Sequence, residues 1–510
     1  MLQKFFRLSE HNTNVRTELL AGLTTFLTMA YIIFVQPAVL SGTLFGKDTG
    51  MDFGAVVTAT CLAAALGSLM MGLYARYPIG QAPGMGENFF FVFSVLPAAG
   101  VMIAAQVEAG TMEAGATEPW HVALGVVFIA GLLFLVLSLL GLQARLIEAI
   151  STSMRNGIAI GIGLFIAFIG LQNTGLVLKD PGTAVKLNPQ FASPDLVVFF
   201  CGLLVTAGLH ALRVRGSIVW GILAATILAV VLWFALPRLP EEISQSKLVT
   251  ESMLMTRFSV ADRVVSAPPP VAPTLLKMDC FNAVFDRQGL RALSEMGWFD
   301  VVFRLGWIRA FAWTMIAMIL IFLFMDVFDT LGTLIGVSEQ AGLIKDGKLP
   351  RAKQALISDA VGTVAGAGMG TSTVTSFIES AAGVEQGGRT GLTAVTVAVL
   401  FLLALFFSPV IAMVGSYPPI TAPALVVVGS LMMRNVTKIE WSNYAEAMPS
   451  FLIIIGIPMT YSIADGLALG FIAYPIIKLF AGQGRDVKWL MYVMALVLVV
   501  YFVQVRMVVG

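Results

Sequence analysis

The chain has 510 residues, 58% of them hydrophobic and 12% charged, with a formal net charge of +1. That is about half the charge of an ordinary soluble domain, which excludes a water-soluble globular fold, and the near-neutral balance argues against a nucleic-acid partner. The three cysteines (Cys61, Cys201, Cys280) and three histidines (His11, His121, His210) are dispersed, so neither a disulfide framework nor a metal site is expected.

Taken in chain order, apolar runs long enough to cross a bilayer mark spans at 17–40 and 52–74, an interrupted segment at 80–97, and spans at 120–141, 150–171, 194–212 and 216–236. The first run leads directly into others, so it reads as a true helix and not as a cleaved signal peptide. A polar stretch follows at 237–305, with SAPPPVAP at 266–273. It reads as a surface insertion, with EMGWFDVVFRLGWI at 295–308 as a short interfacial amphipathic helix. The second set comprises 310–336, 353–369, an interrupted segment 371–386, 391–414, 417–435, 447–480 and 488–507. The stretch 447–480 has the length of one broken helix or of two short ones. The expected fold is an all-α polytopic membrane protein of about 14 transmembrane segments. Its halves, 1–236 and 306–510, are joined by the insertion 237–305, and an odd number of spans in each half inverts one half relative to the other.

Lysine and arginine in short loops set the expected orientation. Lys4, Arg7 and Arg16 precede the first span, and Arg76, Arg145, Arg155, Arg213 and Arg215 fall in alternate loops of the first half. Lys345, Lys348, Arg351 and Lys353 repeat the pattern in the second. Residues 98–119 contain three glutamates and no basic residue. The expectation is a multi-pass cell-membrane protein with a cytoplasmic amino terminus.

The two interrupted segments share a Gly-Met-Gly tripeptide, in QAPGMGENFFFVF at 81–93 and AGAGMGTSTVTSFIES at 365–380. Matching discontinuous helices in two halves are the pattern of carriers that bind substrate at the bilayer midplane. Irregular backbone survives there only where protein buries it or it lines a wet cavity. Ionisable and polar residues follow each tripeptide: Glu87 and Asn88 in the first copy; Thr371, Ser372 and Glu379 in the second. Asp326 and Asp329 lie one turn apart on one face of IFLFMDVFDTLGTLIG (321–336). An aspartate at mid-membrane costs roughly 2.5–3.5 kcal/mol on insertion scales, so these acids are expected to work. Thr330 and Thr333 sit beside Asp329 and are placed to share its hydrogen bonds. Asp359 suits either a packing role or support of the site.

A membrane-embedded carboxylate accepts paired N–H groups from a planar heterocycle and carries a proton. That pairing suits a proton-coupled carrier of a neutral hydrogen-bonding solute, with sodium as the alternative coupling ion. Phe89, Phe90, Phe91 and Phe377 offer stacking surfaces for a flat ring. An anion carrier calls for a basic residue near the breaks, and none precedes Arg389. An enzyme calls for clustered nucleophiles, bases or metal ligands in the spans, and the sequence offers none. No cofactor is expected.

TTFLTMAYIIF (24–34), APGMGENFFF (82–91), DVFDTLGTLIGV (326–337) and GTSTVTSFIESAAGVEQGGRTGLTAV (370–395) resemble the AzgA-like adenine/guanine/hypoxanthine permeases, a branch of the nucleobase–cation symporter-2 family. The resemblance spans nearly the whole chain outside 237–305. It implies two inverted seven-helix repeats arranged as a core domain (about 17–141 plus 310–414) and a gate domain (about 150–236 plus 417–507). It further implies proton-driven import of a purine base bound between the third and tenth segments, with uracil or xanthine as the alternative bases and the gate as the candidate surface for a homodimer. Carried over by position, Glu379 and Asp326 are expected to face the base. Asn88, Thr371, Ser372 and Phe89 complete the pocket, Asp329, Glu87 and Thr330 serve the proton or the supporting contacts, and backbone N–H groups near Thr371 and Ser372 act as donors at a helix start. Two departures bear on substrate and coupling ion: Glu87 stands where the branch has an apolar residue, and Gln36-Pro37 where it has Asn-Pro.

Overall fold

The computed structural model describes residues 2–108, 115, 118–141, 150–214, 216–256, 258, 307–343 and 349–509. Among them, nine helices are long and apolar enough to cross a membrane, and three shorter apolar helices accompany them.

The first span is two helices, α1 (Val15–Met29) and α2 (Ile32–Leu40), broken at Ala30–Tyr31. Asn14 caps α1 by accepting from the Thr17 N–H at 3.0 Å. The chain continues through α3 (Phe53–Met70), strand β1 (Gln81–Pro83), a six-residue helix α4 (Met85–Phe90) and α5 (Leu96–Glu108). Then come α6 (Pro119–Leu140), α7 (Thr152–Asn173), α8 (Pro194–Ala211) and α9 (Ser217–Ala235). Ser151 and Ser193 cap α7 and α8 through their side chains. A hairpin that hydropathy did not announce, β2 (Val177–Asp180) with β3 (Ala184–Leu187), joins those two helices. Its half-buried Asp180 accepts from Lys186 at 2.8 Å, and that ammonium holds the carboxyl below the usual carboxylate range.

The second half opens with α10 (Trp307–Gln340), a 34-residue helix, and α11 (Ala352–Met369). Strand β4 (Val374–Ser376) and α12 (Ser380–Glu385) form its broken element. The chain goes on through α13 (Gly391–Ala404), α14 (Ser408–Gly415) and α15 (Pro418–Met432). The stretch 447–480 resolves into two helices, α16 (Tyr444–Thr460) and α17 (Ile463–Phe480), before α18 (Trp489–Val509). Tyr461 turns between α16 and α17 at φ 56°, and Ser462 caps the second helix. The hairpin is tight: a Cβ on Gly466 would meet the Ile457 nitrogen at 2.4 Å. Small residues permit such close backbone approach inside a membrane.

The two broken elements meet head to head. Strands β1 and β4 pair antiparallel, Gln81 with Ser376, Ala82 with Thr375 and Pro83 with Val374. All six residues are buried. Gly84 N–H donates to the Thr373 carbonyl at 2.9 Å, and Phe377 N–H to the Gly80 carbonyl at 3.0 Å. The pairing satisfies backbone groups that hydrocarbon would leave bare. An antiparallel pair made from corresponding elements is what two inverted halves produce, and the fold is an all-α polytopic membrane architecture of inverted repeats.

Against this pair pack α2, α3, α10 and α11, with α6 against α11 and α13 against α3, while α7, α8, α15 and α16 pack with one another. The start of the polar insertion is not a loose surface loop. Short helices at 241–256 dock through Asp195, which accepts from the Met253 and Leu254 N–H groups at 2.9 and 3.0 Å and from the Tyr417 hydroxyl at 2.6 Å. Leu254 is fully buried as a result. The amphipathic helix expected at 295–308 falls, but for its last two residues, outside the described residues.

Candidate functional site

The glycines explain how the chain breaks. Gly370 ends α11 at φ +97°, a conformation that side-chain-bearing residues rarely adopt, and turns the backbone into β4. Gly84 instead opens α4, and a Cβ there would lie 2.3 Å from Glu87 Oε2. The two Gly-Met-Gly copies therefore both stand at breaks but on opposite sides of their strands. One follows β1 and starts a helix; the other precedes β4 and finishes one. Thr371 and Ser372 consequently follow a helix end and not the helix start expected for them. The Thr371 N–H is already spent on the Gly366 carbonyl at 2.9 Å.

Four groups converge on the outlet of the strand pair. Glu379, half-buried, accepts from the Tyr31 hydroxyl through Oε1 at 2.9 Å. Asp329 is exposed and lies 3.4 Å from the Thr375 hydroxyl. Glu87 is only 2% exposed, and its Oε2 has no donor. Asp329 is near enough to interact electrostatically with Glu379, Tyr31 and Glu87.

Asp326 occupies a different environment. It is buried and accepts from the Thr363 hydroxyl at 2.8 Å, while that same hydroxyl receives the Val374 N–H of β4 at 3.1 Å. Asp359 sits beside it, accepting from the Gln81 side chain at 2.6 Å and from the Ser376 hydroxyl at 3.3 Å. Thr330 accepts from the Ser376 N–H at 3.3 Å. These groups brace the strands from behind. The expected pair at 326 and 329 thus divides, with one aspartate enclosed under β4 and the other open.

Asn88, Thr371 and Ser372 form a third group, all fully buried. The Asn88 amide donates to Gln36 Oε1 and accepts from the Ser372 hydroxyl. Gln36 in turn donates to Thr371 Oγ1 at 2.8 Å. Helix α2 thereby holds both broken elements together. Phe89 is fully buried among Phe45, Phe93 and Phe165, with ring centroids 6.2, 6.2 and 6.3 Å away. The ring beside the open acids is that of Tyr31, and Phe377 lies 6.5 Å from it.

Sequence reasoning passed over Tyr31, Gln81 and Thr363, and noted Gln36 only as a departure from a motif. The available signal was the run of hydrogen-bonding side chains inside the first span, TTFLTMAYIIFVQP. A separate cavity of about 720 Å³, lined by Lys47, Asp48, Asp52, Thr256 and Ser416 among others, contains none of these acids.

The Permease family, named for xanthine and uracil permeases, matches residues 16–469. The guanine/hypoxanthine permease PbuG of Bacillus subtilis is 39% identical over 511 residues, covering 99% of this chain and 100% of the relative. The adenine permease AdeP of Escherichia coli is 36% identical over 504 residues, covering 99% and 96%. Among solved structures, the transmembrane domain of the cyanobacterial bicarbonate transporter BicA superposes with a TM-score of 0.54 at 13% identity, covering 90% of this chain and 97% of that one. The last likeness is one of fold alone.

Proposed function

The chain belongs to the Permease family of xanthine and uracil permeases, and we propose that it is a secondary active transporter importing a purine nucleobase by proton symport. The observation that carries this reading is the convergence of Glu379, Asp329 and Glu87 beside the paired strands. Among the described residues no lysine or arginine is ion-paired with any of them. Such a site offers hydrogen-bond acceptors to a neutral heterocycle rich in N–H groups and repels an anion. Relatives named for guanine, hypoxanthine and adenine support the same substrate class.

In this reading Glu379 and Asp329 face the base, because they are the acids with accessible surface. Asp326, first expected in that role, braces β4 through Thr363. Glu87 completes the acid group and serves the proton. Asn88, Gln36, Thr371 and Ser372 keep the two half-elements joined while the core (about 17–141 plus 310–414) moves against the gate (about 150–236 plus 417–507). Phe377 offers the stacking face, whereas Phe89 links the aromatic cluster that reaches Phe165 on α7. The amino terminus is cytoplasmic, and the gate supplies the surface for any homodimer.

The test is uptake of radiolabelled adenine, guanine and hypoxanthine by cells lacking their own carriers, with and without a protonophore. Accumulation that collapses with the protonophore is expected, together with a loss on the order of a hundredfold for Glu379→Gln, the size of a charged hydrogen bond. Absence of accumulation, or normal uptake by Glu379→Gln, overturns the reading. Competition by uracil or xanthine in the same assay identifies the alternative bases, and dependence on sodium the alternative ion.

A further inference from the structure

We infer that Tyr31 is the positioning residue for the base-binding carboxylate: its hydroxyl engages Glu379 Oε1, so that the base is met by Glu379 Oε2 together with Asp329. This rests on the nucleobase-carrier reading above. The first span is broken at Ala30–Tyr31, and the break sets Tyr31 at the start of α2, opposite the end of β4. Its O–H donates to Glu379 Oε1 at 2.9 Å. A carboxylate only accepts, so this donor occupies one lone pair of Oε1, fixes the orientation of the group and leaves Oε2 the freer oxygen. Thr28, one turn earlier, brings its hydroxyl within 3.2 Å of the Glu379 carbonyl. One face of the first span therefore touches both backbone and side chain of the same glutamate.

Tyr31 is 1% exposed, so no bulk water takes over from its hydroxyl when that is removed. A hydrogen bond to an ionised acceptor is also about twice as strong as a neutral one, and it fixes geometry as well as energy. With one lone pair of Oε1 taken by Tyr31, Oε2 is the less encumbered acceptor that Glu379 offers to an N–H group of the base. A further acceptor stands beside it, because Asp329 is exposed and interacts electrostatically with both Tyr31 and Glu379.

The experiment measures KM and maximal rate for adenine and guanine uptake in wild type, Tyr31→Phe, Glu379→Gln and the double variant, with the amount of each at the membrane followed by a fluorescent tag. Tyr31→Phe keeps the ring that packs near Phe377 and deletes only the donor. It is expected to raise KM about tenfold while the maximal rate stays within about twofold. The double variant is expected to be no worse than Glu379→Gln alone, because the tyrosine acts through that carboxylate. In detergent, the rise in melting temperature on adding base is expected to shrink for Tyr31→Phe, a readout independent of trafficking. Wild-type KM in Tyr31→Phe, or independent multiplicative losses in the double variant, overturns the inference while leaving the carrier reading intact. A wild-type protein that takes up no base overturns both.

Discussion

At the residue scale, two aspartates one helical turn apart ended in opposite surroundings. Asp326 and Asp329 share a face of α10, yet only the second has accessible surface. Asp329→Asn should therefore abolish or sharply weaken uptake with little change in thermal stability. Asp326→Ala should do the reverse first. It removes one of the two acceptors of the Thr363 hydroxyl beneath β4, the Val374 carbonyl at 3.0 Å being the other, a loss of about 1 kcal/mol typical of one hydrogen bond. A fluorescence melting curve beside an uptake curve for each variant separates the two roles; equal melting temperatures for both would refute the division. Glu87 carries the residue that motif comparison did not anticipate. With one oxygen lacking a donor and Asp329 nearby, Glu87→Leu should move the pH optimum or the base preference of uptake. Unchanged kinetics would confine Glu87 to packing.

At the element scale, each half of the site is a strand followed by a short helix, and the two strands satisfy each other's backbone. This arrangement depends on turns that only certain residues make. Gly370→Ala places a Cβ at φ +97°, which should cost about 1–2 kcal/mol or more and loosen the joint between α11 and β4. The drop is measurable as lowered melting temperature and reduced uptake; an unaffected variant would mean the turn relaxes freely. The clamp made by Gln36 answers to the same logic. Gln36→Leu leaves Thr371 Oγ1 and Asn88 with a lost partner each, and a destabilisation of about 2–3 kcal/mol is expected for buried polar groups so exposed to an apolar neighbour. The Gly-Met-Gly repeat marked both breaks in the sequence. Its two copies are not structurally equivalent, because a glycine is needed equally for entering a helix and for leaving one.

At the scale of the whole molecule, the insertion after α9 is tied to the bundle by Asp195, which joins α8 to Tyr417 and to the Met253 and Leu254 N–H groups. Asp195→Ala should release that segment, seen as faster proteolysis within 241–256; an unchanged cleavage rate would show that burial of Leu254 suffices to hold it. The sequence by itself determined the membrane class, the order of the spans, the two breaks and the intramembrane acids beside them. Hydropathy has a long period and intramembrane acids are few, so those features stand out locally. It also drew attention to Glu379, since an acid behind a break has few uses in hydrocarbon. Tertiary structure alone decided that Tyr31 and Gln36 of the first span serve residues more than 330 positions away, that Asp326 is enclosed and Asp329 open, and that Phe89 lies inside an aromatic cluster. Each of those outcomes depends on which element packs against which. In a chain where nearly every face is apolar, periodicity does not distinguish a side that meets lipid from one that meets another helix.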